Sequence, residues 1–337
     1  MRVAVFSTKS YDRRWLEAAN GDFGHHLEFL EAPLDARSAR LAEGFEAVCV
    51  FVNDHLDAAA LAQLHAGGVR VVALRCAGFN NVDLAAAERL GIVVTHVPAY
   101  SPTAVAEVTL GLILALERKI PRAWARVRDN NFALDGLIGR SLAGRVVGVV
   151  GTGRIGVRVA LALRLGLRCE VLASDPMMVR DLIDAGVRYV AREQLLAEAD
   201  LVTLHCPLTP ETHHLIDAQT IASMRPGVST VNTSRGALID TAALIAGLKS
   251  RKVGGVALDV YEEESGLFFK NLSDEIIQAD VFQRLLTFPN VIVTGHQAFL
   301  TEDALTEIAQ QTLENLADAE VGRPLARRVV AAEGSGI

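Results

Sequence analysis

Three side chains in the second half of the chain have types that together suit acid–base chemistry on a small carboxylic acid. Arg235 stands in NTSRG (232–236), behind the run VSTVN. Glu264 stands in YEEES (261–265), behind VALDV, and His296 directly follows VIVTG (291–295). An arginine holds a carboxylate through two parallel charge-assisted bonds. A histidine exchanges a proton with a substrate oxygen near neutral pH, and a carboxylate beside it stabilises the imidazolium. Position alone leaves other readings open. His96 and His205 also follow apolar runs, Arg235 could be half of a structural ion pair, and Glu264 shares its run with Glu262 and Glu263, as a solvated acidic face would. The pairs His25–His26 and His213–His214 lack metal-site spacing, read as surface or loop residues, and lead us to expect no metal.

A second chemical signal precedes these residues. In VVGVVGTGRIGVRVALAL (146–163), Gly151, Gly153 and Gly156 form G-x-G-x-x-G behind a predicted strand and at the start of a predicted helix. The first glycine permits the tight turn, the second admits a pyrophosphate to the backbone, and the third lets helix and strand pack closely. The phosphates then meet the positive end of the helix. Asp175 ends the next strand, 19 residues after Gly156. A carboxylate there accepts hydrogen bonds from ribose hydroxyls and repels a 2′-phosphate, which favours NAD over NADP. The same residues would also serve a purely structural glycine turn with Asp175 capping a loop.

Elements able to position these groups recur along the chain. RVAVF (2–6), AVCVF (47–51), VRVVAL (69–74) and IVVTHV (92–97) read as strands of a parallel sheet covered on both faces. AAALAQLHAGG (58–68) and LAAAERLG (84–91) read as helices closed by glycine. After Pro98 and Pro102, residues 103–117 form one helix apolar enough to be a buried connector. Alternation then resumes with strands at 145–150, 169–174, 201–205, 228–232, 256–260 and 291–295. A last helix covers 302–320, with Thr301 as N-cap and Leu305, Ile308, Leu313 and Leu316 on one face. The polar tail from Arg327 to Ile337 is expected to fray. The pattern is α/β and doubly wound, with ligands bound beyond the carboxyl ends of the strands.

Composition narrows the class. The 337 residues are half apolar, 22% charged and 5% aromatic, with a net charge of -7. That length accommodates about two domains, and the mild acidity argues against a nucleic-acid or anionic-membrane partner. The scattered Cys49, Cys76, Cys169 and Cys206 form no C-x-x-C pair and fit a reducing compartment. The apolar run in MRVAVFSTKS is too short for a signal peptide. Val108–Leu116 is too short to cross a bilayer, so a cytoplasmic location is expected.

Read together, the segments LRCAGFNNVDL (74–84), VPAYSPTAVAE (97–107), GVVGTGRIG (148–156), LHCPLTPETHHLI (204–216), VNTSRGALID (231–240), ALDVYEEES (257–265) and TGHQAFLT (294–301) resemble the D-isomer-specific 2-hydroxyacid dehydrogenase family, in family order and over nearly the whole chain. The resemblance implies a Rossmann-type NAD domain (101–297) inserted into a discontinuous flavodoxin-like substrate domain (1–100 and 298–337). It implies Arg235 at the substrate carboxylate and carbonyl, His296 as acid/base and Glu264 as its partner. It implies a carboxylate cradle at Cys76, Ala77 and Gly78, with Tyr100 and Phe299 lining the pocket. Around the cofactor it implies Arg154 and Ile155 at the pyrophosphate, Asp175 at the ribose, and Cys206, Pro207, Thr233 and Asp259 at the nicotinamide half.

The separation of 32 residues between Glu264 and His296, and the segment SGLFFKN (265–271) within it, favour the lactate branch of that family, with pyruvate reduced by NADH. Glyoxylate, hydroxypyruvate or branched 2-keto acid reduction is the alternative, and a non-catalytic NAD-sensing protein on the same fold is a more distant one. Val108 departs from the histidine often found at its position in relatives. A homo-oligomer, dimer or tetramer, is expected on general grounds.

Overall fold

The structure is a computed structural model and describes residues 1–331. It divides into two units, Met1–Ser101 with the chain from Leu300 onward, and Pro102–Phe299.

The first unit is built on a six-stranded sheet. Its strands β1 (Arg2–Val5), β2 (His26–Phe29), β3 (Ala47–Val50), β4 (Val71–Leu74) and β5 (Val93–Thr95) run parallel in the order β2-β1-β3-β4-β5. That is the flavodoxin-like doubly wound order. β3 and β4 are buried at every position, which is why their sequences are unbroken apolar runs rather than alternating ones. Asp57 and Asp83 cap the helices Ala58–Ala66 and Leu84–Arg89, each accepting a backbone N–H from Ala60 and Ala86. The last helix, Glu302–Glu320, starts where Thr301 Oγ1 accepts the N–H of Ala304. Its Ala309, Leu313 and Leu316 enter the core beside Val3, Val5, Cys49 and Ala73, so the far end of the chain completes the first unit.

Three readings from the sequence need correction. β2 was unexpected, because HLEF is short, half polar and half-buried, as edge strands are. His25 before it is not a surface residue but is buried, with Nδ1 3.3 Å from the chain's amino terminus. The tail does not simply fray, since Arg328–Val329 pairs antiparallel with β5 as the sixth strand. The remainder of the tail, residues 332–337, lies outside the described residues.

The second unit holds seven parallel strands: β6 (Val146–Val150), β7 (Glu170–Ser174), β8 (Arg188–Tyr189), β9 (Leu201–Leu204), β10 (Val228–Asn232), β11 (Val253–Leu258) and β12 (Val291–Val293). Their order is β8-β7-β6-β9-β10-β11-β12, the Rossmann order with one further strand. The winding reverses between β6 and β9, so the crevice at that switch point is where a dinucleotide belongs. The helix Pro102–Glu117 buries Val105, Thr109, Leu112, Ile113 and Leu116, but leaves Glu107 and Gly111 exposed and Val108 half-buried. It is a buttress with one open stripe, not the wholly buried connector its composition suggests. No helix among the described residues is long and apolar enough to cross a membrane.

Candidate active site

Because the second sheet is parallel throughout, the loops leaving the ends of β6, β7, β9, β10, β11 and β12 emerge on one edge. Gly151–Gly153 follow β6, Asp175 follows β7, and His205, Cys206 and Pro207 follow β9. Thr233 and Arg235 follow β10, Asp259 and Glu264 follow β11, and His296 follows β12. The residues read as cofactor contacts thus straddle the switch point, and those read as chemical groups leave three adjacent strands on one side of it.

The glycine loop shows a division of labour. Gly151 has φ +92, and a Cβ there would lie 2.6 Å from the backbone of His205 and Cys206. At Gly156 a Cβ would meet the Gly151 carbonyl at 2.0 Å, so this glycine seats the helix Arg154–Leu161 against the strand. Gly153 differs, since a Cβ there would meet nothing within 4 Å. The fold itself does not need a glycine at 153, whereas a ligand approaching the backbone would. Gly153 is also the N-cap and offers no side chain to the first turn of the helix, while Arg154 is exposed and Ile155 half-buried there. These residues fit a bound pyrophosphate.

Asp175 serves the loop as well. Its carboxylate accepts the N–H of Thr152 at 2.6 Å and of Met177 at 2.8 Å, which holds the glycine turn against the end of β7. Each carboxylate oxygen has a second lone pair left for a ribose hydroxyl.

Beyond β10, Asn232 shapes the turn that presents Arg235. Its side chain accepts the N–H of Ser234 and donates to the carbonyl of Arg235, while Ser234 Oγ donates to the carbonyl of Cys206. Gly236 lies so close to Tyr261 that a Cβ would stand 2.1 Å from its backbone, which locks the β10 and β11 loops together. The Arg235 guanidinium donates to the carbonyl of Ser234 at 2.7 Å and forms no ion pair among the described residues. The ion-pair alternative therefore fails, and the cation is left for an anion.

His296 and Glu264 meet. Nδ1 of His296 lies 2.8 Å from Glu264 Oε1, and Glu264 Oε2 accepts the N–H of Tyr261 at 3.1 Å. Both side chains are about one-fifth exposed. Nε2 is left as the nitrogen available to a substrate. Phe269, from the segment SGLFFKN, packs its ring 5.5 Å from the imidazole. Asp259 builds the loop behind His296. It is fully buried, its carbonyl accepts the His296 N–H, and its carboxylate accepts Thr294 Oγ1, Gln297 N and Ala298 N. The Asp259 carboxylate thus ties down the loop that carries His296.

The rival histidines separate. His205 Nε2 lies 2.9 Å from Thr203 Oγ1, and burial pushes this imidazole down to about 4. His96 belongs to the first unit, where its Nδ1 lies 2.9 Å from the carbonyl of Ala77. Neither has a carboxylate partner among the described residues. Thr233 is buried and shares a hydrogen bond with Thr109, Cys206 is buried with its thiol pushed up by burial, Pro207 is exposed, and Phe299 is buried.

Cys76, Ala77 and Gly78 form the turn after β4 in the first unit, with Cys76 Sγ 3.3 Å from the Gly78 carbonyl, and Tyr100 is half-buried nearer that unit's edge. An ion pair missed in the sequence anchors this turn. Arg75, 1% exposed, binds Asp12 at 3.2 Å and the carbonyl of Ser7 at 3.0 Å. Sequence reading also missed that Glu262 leaves the acidic run to meet His214 Nε2 at 2.5 Å. With His213, these groups place three possible metal-ligating atoms within 4.8 Å of one another, although local spacing gave no such signal.

Comparison with known proteins places the chain among relatives. Residues 110–298 match the model of the D-isomer specific 2-hydroxyacid dehydrogenase NAD-binding domain. The chain is 51% identical to 2-hydroxyacid dehydrogenase homolog 1 of Schizosaccharomyces pombe, covering 94% of this chain and 96% of that one. It is 49% identical to D-lactate dehydrogenase of Escherichia coli, covering 98% and 100%. The structure of a D-lactate dehydrogenase from Aquifex aeolicus, solved with NAD and lactic acid, superposes with a TM-score of 0.87 at 33% identity over 98% of this chain and 100% of that one. The chain belongs to the D-isomer-specific 2-hydroxyacid dehydrogenase family. It is an NAD-dependent oxidoreductase acting on 2-hydroxy acids.

Proposed function

We propose that the chain reduces pyruvate to D-lactate with NADH, and that Arg235, Glu264 and His296 carry the chemistry. NADH, when bound, supplies the hydride to the carbonyl carbon. Arg235 holds the substrate carboxylate and polarises the ketone. His296 donates the proton from Nε2 to the carbonyl oxygen, while Glu264 fixes the ring through Nδ1 and stabilises its charged form. The 2.8 Å contact between His296 and Glu264 carries this reading, because it orients the ring through Nδ1 and leaves Nε2 for the substrate. Phe269 beside the imidazole supports a small substrate side chain, since an aromatic ring there takes up room a longer chain would need. Cys76, Ala77, Gly78, Tyr100 and Phe299 are proposed as further substrate contacts, and Gly151, Gly153, Arg154, Ile155, Gly156, Asp175, Cys206, Pro207, Thr233 and Asp259 as cofactor contacts.

NADH oxidation with a panel of 2-keto acids, followed by chiral analysis of the product, tests the substrate. Pyruvate giving D-lactate is expected to have the highest kcat/KM. A branched 2-keto acid or hydroxypyruvate exceeding it would assign a different substrate. Arg235→Lys should raise KM and lower kcat, because an ammonium does not reproduce the guanidinium fork. An unchanged kcat/KM would remove Arg235 from the site. A homo-oligomer is also proposed, on the exposed Ile120, Trp124, Val127, Phe132, Leu134 and Ile138 of one continuous segment. Sedimentation as a monomer at micromolar concentration would refute it.

A further inference from the structure

The turn after β4 in the first unit is pinned at both ends, and its middle is held from one side. At its start Arg75 binds Asp12 at 3.2 Å and the carbonyl of Ser7 at 3.0 Å. At its end Asn81 Nδ2 donates to the carbonyls of Phe51 and Asp54, at 3.0 and 2.9 Å. Between these anchors, the segment after β5 takes two successive carbonyls. The N–H of Val97 donates to the carbonyl of Cys76 at 3.1 Å, and Nδ1 of His96 lies 2.9 Å from the carbonyl of Ala77. A carbonyl only accepts, so Nδ1 carries the proton. The peptide bonds here are trans, and in a trans peptide the C=O and the following N–H point in opposite directions. Holding the Cys76 and Ala77 carbonyls toward the β5 segment therefore turns the N–H groups of Ala77 and Gly78 away from it, toward one side. Neither N–H donates to another group among the described residues, and both residues are half-buried rather than enclosed. Two successive N–H groups so turned form a nest for an anion.

Of the two contacts that set this orientation, one comes from backbone and the other from the His96 side chain. His96 is itself fixed from outside the turn. Its N–H donates to the carbonyl of Arg327 at 3.1 Å, and its carbonyl accepts Nδ2 of the buried Asn315, in the last helix, at 3.0 Å. The Phe79 ring meets the imidazole edge-on, with centroids 5.5 Å apart. We propose that His96 is a positioning residue for substrate binding: its Nδ1–H holds the Ala77 carbonyl and so aims the Gly78 N–H at the substrate carboxylate. The proposal rests on the reading of Cys76, Ala77 and Gly78 as substrate contacts. It gives a task to a histidine that stands apart from the acid/base pair, and it makes the last helix part of substrate recognition through Asn315.

The test is steady-state kinetics of the intact enzyme at saturating NADH with the preferred 2-keto acid, beside amide hydrogen exchange with oxamate, an unreactive 2-keto acid analogue, as the probe. His96→Phe keeps a ring against Phe79 and removes the donor. KM for the 2-keto acid should rise about threefold to tenfold, the range set by one hydrogen bond, with kcat within about twofold and KM for NADH unchanged. His96→Asn places an amide donor where Nδ1 stands and should restore most of the loss. His96→Gln, whose donor sits one atom farther out, should resemble His96→Phe and takes its place if the phenyl variant folds poorly. An unchanged KM in these two, a KM raised equally in His96→Asn, or a fall in kcat with KM unchanged would overturn the proposal. Oxamate should slow exchange over residues 75–82 in the wild type, and less so in His96→Phe. No protection in the wild type would remove the turn from the substrate site, and the proposal with it. Protection undiminished in His96→Phe would overturn the role of His96 alone and leave the substrate reading standing.

Discussion

Glu262 and Glu264 stand two residues apart after β11, and each takes one histidine. Glu264 meets Nδ1 of His296 at 2.8 Å, and Glu262 meets Nε2 of His214 at 2.5 Å. The two pairs use the same chemistry for different ends. Glu264 has one further tie, to the Tyr261 N–H, and leaves His296 with its outer nitrogen available. Glu262 is held on all sides. Its second oxygen accepts both the N–H and the hydroxyl of Thr241, at the start of the helix Thr241–Lys249, and His213 stacks on His214 with ring centroids 3.9 Å apart. One pair leaves the outer imidazole nitrogen without a hydrogen bond among the described residues, while the other staples the β9, β10 and β11 connections together. Proximity to an acid does not make a histidine catalytic. What remains of its hydrogen-bonding capacity after the fold has used it decides that.

The comparison is broken most sharply at His296. His296→Gln retains an amide able to reach Glu264 but supplies no proton of suitable acidity. A fall in kcat of about 10²–10⁴-fold is expected, with melting temperature nearly unchanged. Glu264→Gln keeps a hydrogen-bond partner for Nδ1 and removes only the charge, so its loss should be smaller, about tenfold to a hundredfold. Steady-state kinetics beside thermal melts checks both. Wild-type turnover in His296→Gln would end the acid/base assignment.

A third histidine, His205, shows what the imidazole does with no acid at all. It sits at the switch point, and burial holds it down to about 4, so it is neutral in the fold at pH 7. Its ordinary value in an unfolded chain is near 6.5. Between those values the unfolded chain binds the extra proton, so stability is complete above about pH 6.5 and falls as pH drops toward 4. The loss is at most about 3 kcal/mol. Melting curves across that range should steepen for the wild type and flatten for His205→Gln. Equal pH dependence of the two would mean that the ring is not held neutral.

Most of the scaffold was legible because parallel strands buried on both faces leave unbroken Val, Ile and Leu runs, as at β3, β4 and β9. β2 was not, since an edge strand half open to water has no such run. The glycine loop was legible because Gly151 and Gly156 answer steric demands within seven residues of chain. The chemical groups were ambiguous from spacing, since three histidines follow strands, and the resemblance to the family singled one out. The Arg75–Asp12 anchor and the His214–Glu262 staple were not legible. Each joins residues far apart in sequence, and a buried Arg or a His next to another His looks like any polar residue in a linear reading. The exposed apolar side chains from Ile120 to Ile138 also passed unnoticed, because in the linear sequence they are interleaved with Arg122, Arg126, Arg128 and Asp129.

The smallest effect is expected at the staple, and it sharpens the comparison because it separates stability from turnover. Burial alone would push the Glu262 carboxyl up, but the hydrogen bonds from His214 and Thr241 outweigh burial and leave it below its ordinary value. A carboxylate so depressed contributes stability that is present above its unfolded value, near 4.3, and is lost as pH falls through the folded value. Glu262→Gln should therefore destabilise the fold at pH 7 by about 1 kcal/mol, in keeping with a partly exposed ion pair. The two proteins should converge in melting temperature once the pH is acidic enough to protonate the wild-type carboxylate. Since Glu264 has its own anchor in Tyr261, kcat with NADH should stay within about twofold, a change well below 1 kcal/mol in barrier. A tenfold fall in kcat with an unchanged melting temperature would show the opposite arrangement, in which Glu262 reaches the chemistry through Glu264 and the two pairs work as one.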